Sequence, residues 1–176
     1  AAGIRGTIGT WGWDIEVGPF TAPCDEVLDR QRAVVERFPA GGQVEGWVTL
    51  VGHDLASDEL LAGASQLARD LGTSMTMHLS PTSSDPERYL ERTGKRPVVH
   101  LDALGALGPH LLLAHGVWFD DDEVDLVLGH DVAQPGLRRD LGAGRDRDVV
   151  ERDAVRRHQR LEVAVADAQR DGKHVG

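Results

Sequence analysis

Alternation of predicted strands and helices is the feature that most constrains how this 176-residue chain can fold. Four apolar segments are typical of buried strands, and each precedes a stretch with the apolar spacing of a helix. Such alternation predicts a parallel sheet covered by helices. The predicted strands span residues 3–10, 44–51, 73–79 and 111–117.

The length of these units restricts the architecture further. Four strand–helix units in the first 128 residues average about 32 residues each, and a complete (β/α)8 barrel has about 31 per unit. The sequence therefore predicts an α/β fold that makes up about half of a TIM-type barrel. An open doubly wound sheet would show the same spacing and is the alternative.

Residues that favour helix ends mark the boundaries of the predicted helices. Ser57 is a good N-cap, Gly72 is suited to the position just after a helix, and Pro97 is suited to a first turn. The predicted helices span residues 25–38, 58–71, 87–92, 97–104 and 120–128.

Composition divides the chain into two parts. Residues 1–128 carry nine basic and twenty acidic side chains, residues 129–176 carry ten and nine, and no aromatic residue follows Phe119. The second part also lacks the Val, Ile and Leu run that a barrel strand needs. We therefore expect a partial barrel over 1–128 and a divergent polar tail over 129–176. A frameshift or a sequencing error would explain this tail, and a diverged helical extension is the alternative.

The overall composition argues against several classes of protein. A formal net charge of -10 disfavours nucleic acid as a partner, because phosphate binding needs clustered basic residues. No apolar run reaches the roughly 18 residues of a membrane-spanning helix, and no signal-peptide pattern opens the chain. With Cys24 as the single cysteine, an internal disulfide is excluded and a cytoplasmic location is expected. The absence of an initiator Met suggests a start further upstream.

Two histidines follow neighbouring predicted strands. His78 and His115 each lie at the carboxyl end of a strand, the edge where parallel α/β folds collect ligands and catalytic groups. Adjacent strands are about 4.8 Å apart, so two such imidazoles can reach one metal ion. A pair of hydrogen-bonded core histidines is the alternative interpretation.

Other residues carry weaker signals. His53 and Asp54 follow a strand, but a turn into the next helix explains them as well, and His100 is expected on a helix surface. Three tryptophans that follow strands could line a pocket for a flat heterocycle or could simply pack in the core. They are Trp11, Trp13 and Trp118.

An ordered set of short motifs resembles the amidohydrolase superfamily over roughly residues 1–128. It most resembles the branch that holds triazine hydrolases, chlorohydrolases and N-heterocycle deaminases. The matching motifs are Ser-x-Glu-Leu-Leu at 57–61, Met-His-Leu at 77–79, Thr-Gly-Lys-Arg-Pro-Val at 93–98 and Leu-Ala-His-Gly-Val at 113–117, followed by the acidic run 120–123.

The resemblance implies a metal-dependent hydrolase. In that family a (β/α)8 barrel holds Zn²⁺ or Fe²⁺ between a His-x-His pair after the first strand, histidines after the fifth and sixth strands and an Asp after the eighth. His78 would match the fifth-strand ligand and His115 the sixth-strand ligand. The metal acidifies a water molecule, which attacks a ring carbon of a small N-heterocyclic substrate and expels ammonia, an amine or chloride.

The sequence also departs from the family pattern. It contains no His-x-His, and Pro81 occupies the position three after His78 where a proton-transferring Glu is usual. Asp85 or Glu87 could substitute for that Glu from the same loop. The sequence therefore predicts part of a hydrolase, and a catalytically inactive fragment with weak metal or partner binding is the alternative. The uncovered inner face of a partial barrel also predicts association of copies.

Overall fold

The computed structural model describes residues 5–16 and 18–132, and these residues form an α/β fold. Within these described residues, five short strands alternate with helices, except that the second and third strands follow each other directly. The strands are β1 (Gly6–Ile8), β2 (Val44–Gly46), β3 (Val48–Gly52), β4 (Met75–Leu79) and β5 (Leu111–His115).

In the described part of the chain, five helices connect or follow the strands, close to their predicted positions. The Ser57 hydroxyl accepts a hydrogen bond from the Leu60 amide, which confirms the predicted cap of the second helix. Asp120 and Glu123 form a capping box at the start of the last helix. The helices are α1 (Cys24–Arg37), α2 (Asp58–Asp70), α3 (Asp85–Thr93), α4 (Pro97–Ala103) and α5 (Asp121–Gly129).

All strand pairing among the described residues is parallel, in agreement with the prediction. β1 pairs with β2, and β3, β4 and β5 form a second sheet in that order. A parallel bridge between Gly12 and Leu50 places the segment after β1 beside β3. Strand order therefore follows chain order, as in a barrel, although the described strands do not close into one.

The predicted strand over 44–51 is interrupted at Trp47, which the sequence did not indicate. The Gly46 amide donates to the Phe38 carbonyl at 2.6 Å, so this part of the chain is held against the end of α1. The Trp47 amide then donates to Ile8 and the Val48 amide to Ser74, so pairing passes from the β1 side to the β4 side.

One face of the sheet carries the core. Alternate strand residues are at most 1% exposed beneath the helices, among them Leu50, Met75, Met77, Leu111 and Leu113. The strand residues that alternate with these point to the other face and are half-buried: Thr49, Val51, Thr76, His78, Leu112 and Ala114. Helices thus cover one face, and the opposite face corresponds to the interior of a barrel.

The Gln31 side chain joins α1 to the sheet. It is fully buried, and its amide nitrogen donates to the carbonyls of Thr10 and Thr49 while its amide oxygen accepts from the Thr49 amide at 2.9 Å. The side chain therefore supplies hydrogen bonds where the strand ladder between residues 10 and 49 is interrupted.

The predicted tail over 129–176 lies almost entirely outside the described residues. Within the described part of the chain, no helix has the length and apolar character needed to cross a membrane.

Candidate metal centre

His78 lies near the carboxyl end of β4 and is held by the neighbouring strand. Its Nδ1 lies 2.6 Å from the Val51 carbonyl oxygen, and since a carbonyl can only accept, Nδ1 carries the proton. In the neutral ring with this tautomer, Nε2 is the nitrogen that carries the lone pair for a metal. Pairing shifts from Thr49–Thr76 to Gly52–His78, so β3 contains one extra residue, and this bulge brings Val51 next to the ring.

The His115 side chain also lies beside His78, because the backbone of His115 has an unusual conformation. In the regular register His78 lies opposite Ala114, so alternation would direct residue 115 to the helix-covered face. His115 instead has a φ of 76°, in the left-handed region, and Gly116 follows with a φ of 64°. Non-glycine residues in this region carry strain and are concentrated at functional sites.

The two imidazoles lie side by side as a result. Their ring centroids are 5.2 Å apart, with an angle of 36° between the planes. Two neutral rings at this distance fit part of the coordination shell of a divalent metal. Among the described residues no group of three or more His, Cys, Asp or Glu side chains could hold an ion, so this pair by itself is an incomplete ligand set.

Asp85, one of the two predicted substitutes for the missing Glu, is already engaged by other groups. Asp85 accepts a hydrogen bond from the Thr82 amide and forms an ion pair with Arg88. Burial raises the pKa of Asp85, but the bonds from Thr82 and Arg88 outweigh burial and leave this pKa below its ordinary value. Glu87 is exposed on α3. Proton transfer by Asp85 or Glu87 in place of the usual Glu, where this chain has Pro81, therefore stays a prediction.

Ser80 and His53 are further polar residues near this edge of the sheet. Ser80 is fully buried with a φ of 48°, and its hydroxyl has no hydrogen-bond partner among the described residues. His53 is 2% exposed, and its Nε2 likewise lacks a partner within the described part of the chain. Sequence reasoning placed His53 in a turn, and only its position after a strand indicated a site.

Tyr89, which packs against His53, is connected through His100 to Asp58. The His53 and Tyr89 rings have centroids 4.5 Å apart, and the Tyr89 hydroxyl lies 2.8 Å from Nδ1 of His100. Nε2 of His100 lies 3.3 Å from Asp58 at the start of α2. His100 is therefore a buried residue, and its predicted position on a helix surface is wrong.

The three tryptophans do not form a common pocket. Trp11 is 57% exposed, whereas Trp13 packs edge-on against Phe20 with ring centroids 5.9 Å apart. Trp118 is half-buried, and its carbonyl accepts a hydrogen bond from Arg96. The structure thus does not bring these rings together around His78.

Comparison of the sequence with known proteins identifies its family. The sequence profile described as "Amidohydrolase family" matches residues 15–166. The matched region extends past Leu128, so the start of a divergent tail at residue 129 stays a prediction. The 5-methylthioadenosine/S-adenosylhomocysteine deaminase of Syntrophobacter fumaroxidans is 30% identical over 148 residues, which cover 82% of this chain and 33% of that protein.

Solved structures show a similar fold. An adenosine deaminase from Xanthomonas campestris with bound zinc superposes with a TM-score of 0.68 at 19% identity, over 75% of this chain and 30% of its own. Atrazine chlorohydrolase from Arthrobacter aurescens complexed with zinc gives a TM-score of 0.67 at 20% identity, over 75% and 31%. This chain thus spans about one third of the length of these relatives.

Proposed function

This chain belongs to the amidohydrolase family, and we propose that it forms part of a metal-dependent hydrolase in which His78 and His115 bind the metal. The proposed reaction replaces an amino, substituted amino or chloro group on an N-heterocyclic ring with a hydroxyl group. Its support is the paired arrangement of two imidazoles at adjacent strand ends, 5.2 Å apart.

The chain's own residues prepare this pair for a cation. Val51 fixes the His78 ring with Nε2 free to bind, and the left-handed backbone at His115 turns the second ring toward it. A divalent metal such as Zn²⁺ or Fe²⁺ would lower the pKa of bound water and so supply a nucleophile at neutral pH. The similar adenosine deaminase and atrazine chlorohydrolase structures both contain zinc, which agrees with such a metal.

A specific observation favours a second candidate, a fragment that binds metal without catalysis. Proton transfer needs a positioned acid or base, but residue 81 is Pro and Asp85 is already paired with Arg88. With only two imidazoles at the proposed site among the described residues, we expect weak metal binding and no turnover by the 176-residue chain alone.

Titration with Zn²⁺, followed by isothermal calorimetry, tests the proposed ligands. The wild-type chain should bind one equivalent, and His78→Ala and His115→Asn should each weaken binding at least tenfold. Asn is chosen at residue 115 because it tolerates a positive φ. His130→Ala, at an exposed histidine that contacts Asp102, is the matched control and should bind as the wild type does.

Ammonia release from aminopurines and aminotriazines then separates the two candidates. Turnover by the zinc-loaded chain, lost in His115→Asn, would establish a complete hydrolase and reject the inactive fragment. Zinc binding without ammonia release would support the inactive fragment. Unchanged zinc affinity in both histidine variants would reject the proposed metal centre.

A further inference from the structure

The loop after β5 connects His115 to helix α5, and the Arg96 side chain holds this loop from the start of α4. The guanidinium group of Arg96 donates to the Trp118 carbonyl at 3.0 Å and to Oε2 of Glu123 at 2.7 and 2.9 Å. It also forms an ion pair with Asp120 at 2.6 Å. One side chain therefore contacts both the loop that follows a proposed metal ligand and the start of α5.

The Glu123 carboxylate gives Arg96 a fixed partner. It is fully buried, whereas 26% of the Arg96 side chain is exposed. Its Oε1 accepts from the Val98 amide at 2.9 Å, and its Oε2 accepts from the Asp120 amide at 3.2 Å. A buried carboxylate is costly unless several donors satisfy it, so this arrangement has one favourable geometry. The guanidinium group is thereby held in place beside the loop after β5.

The backbone of His115 needs contacts of this kind. Its φ is 76°, and the φ of Gly116 is 64°. A non-glycine residue keeps a left-handed backbone only where the surrounding structure holds it. On one side of the turn the Gly116 amide donates to the Leu79 carbonyl at 2.9 Å, and on the other side Arg96 binds the Trp118 carbonyl. These two contacts flank the turn that directs the His115 ring toward the proposed metal.

We propose that Arg96 is a positioning residue of the metal centre, because its bond to the Trp118 carbonyl holds the loop that keeps the His78 and His115 rings together. The inference rests on the proposed function for the role of the two histidines as metal ligands. The alternative is that Arg96 only joins α4 to α5, in which case the two rings keep their arrangement when its bond to Trp118 is lost.

The nuclear Overhauser effect between ring protons of His78 and His115, measured without metal, tests this proposal. The ring centroids are 5.2 Å apart, so the wild-type chain should show this ring-to-ring signal. Arg96→Lys keeps a positive charge beside Glu123, but one ammonium group cannot reproduce the fork that binds Glu123 and Trp118 together. We expect this variant to keep a folded amide spectrum and to lose more than half of the ring-to-ring signal.

Zinc affinity provides a second measurement on the same variants. Replacing groups that orient metal ligands typically weakens metal binding by about 10–100-fold. Arg96 acts through the backbone, so Arg96→Lys should weaken Zn²⁺ binding by about tenfold, at the lower end of this range. Arg96→Gln keeps a hydrogen-bond donor without the charge and should show the same two losses, so either folded variant is sufficient for the test.

Two controls separate positioning from a general loss of stability. Asp120→Ser removes one ion pair of Arg96, keeps a residue type that favours the N-cap and leaves the bond to Trp118 in place. Gly46→Ala strains the packing against α1, where a Cβ would lie 2.7 Å from backbone atoms. Both controls should keep the ring-to-ring signal of the wild type, even where unfolding shows a lower stability.

An unchanged ring-to-ring signal in a folded Arg96 variant would overturn the proposal, and so would an equal loss of this signal in Gly46→Ala or Asp120→Ser. Absence of the signal in the wild-type chain would overturn it as well, because the rings would then not be paired. Failure of the proposed function is distinguishable. If the wild-type chain binds no zinc, the metal assignment is rejected, whereas loss of the metal-free signal in the Arg96 variants still supports the role of Arg96 in holding the two rings.

Discussion

Replacing Gln31 by Leu should destabilise the fold strongly, although the two side chains are similar in size. The buried amide makes three hydrogen bonds to the backbone of Thr10 and Thr49, two of them at 2.8 and 2.9 Å. Leucine leaves the Thr49 N–H without a partner and removes a donor from two carbonyl groups. A buried polar group without a hydrogen-bond partner costs free energy, because nothing replaces the hydrogen bond that it made to water in the unfolded chain.

The size of the loss follows from these groups. An unsatisfied buried N–H costs about 1–3 kcal/mol, and the two carbonyls add about 1–2 kcal/mol together. Burial of the more apolar leucine returns about 1 kcal/mol. The expected net loss is about 2.5 kcal/mol, a large part of the roughly 5–15 kcal/mol that keeps a domain folded.

Urea unfolding followed by circular dichroism measures this difference. The matched control is Gln66→Leu, at an exposed glutamine on α2 whose side-chain bonds are to Asp70 and Arg69, and it should change stability by less than about 0.5 kcal/mol. A loss below about 1 kcal/mol for Gln31→Leu, or equal losses at the two positions, would refute the assigned role of Gln31.

Three further predictions concern other contacts. Gly46→Ala should destabilise the fold by about 1–3 kcal/mol in urea unfolding, because a Cβ there would lie 2.7 Å from backbone atoms of α1, whereas Gly6→Ala meets nothing within 4 Å. Glu123→Gln should cost about 3 kcal/mol in the same assay, since Oε1 of the buried carboxylate accepts from the Val98 amide and Oε2 accepts from Arg96 and the Asp120 amide, so an amide nitrogen at either position would face an N–H donor. An unchanged midpoint would contradict this. Burial, followed by the charge of Arg69, lowers the pKa of His110 in the folded chain. The unfolded chain therefore binds a proton at this histidine at a higher pH than the folded chain does, so the free energy of unfolding should fall as pH drops below about 6.5. His110→Gln should flatten the dependence of this free energy on pH between pH 7 and 5.

Local signals predicted the helices well where the caps and the apolar stripe agree. Ser57 and Gly72 mark the two ends of α2, and the structure places its cap bond and a left-handed glycine there. The start of α3 was predicted two residues too late, because Asp85 and Pro86 read as part of a polar loop. In the structure Asp85 opens the helix, and Pro86 occupies an early position that its fixed φ favours.

Features that depend on distant contacts were not predictable from the sequence. The break at Trp47 arises from the approach of Gly46 to α1, a contact between segments about ten residues apart. The order of residues also gives no sign of the left-handed backbone at His115, since a regular strand would turn that side chain to the other face. Burial of His53 and His100 depends on packing around Tyr89, which joins three separate elements.

The apolar pattern of the predicted strands placed His78 and His115 at the carboxyl ends of neighbouring strands, because position at this edge of a parallel sheet follows from the order of elements. The roles of Asp85 and Glu87 could not be settled in the same way. A carboxylate near a site is available for proton transfer only if no other group has engaged it, and the pairing of Asp85 with Arg88 becomes visible only in three dimensions.

Long-range ¹H–¹⁵N correlation spectra of the histidine rings, recorded during titration with Zn²⁺, test whether His78 and His115 share one metal ion. Without metal, His78 should show a protonated Nδ1, as its bond to the Val51 carbonyl requires. On addition of one equivalent of Zn²⁺, the Nε2 resonance of His78 and one ring nitrogen of His115 should shift together, while the His110 signals stay in place. Zinc-dependent shifts confined to other histidines, or a shift of only one of the two rings, would contradict a shared metal site.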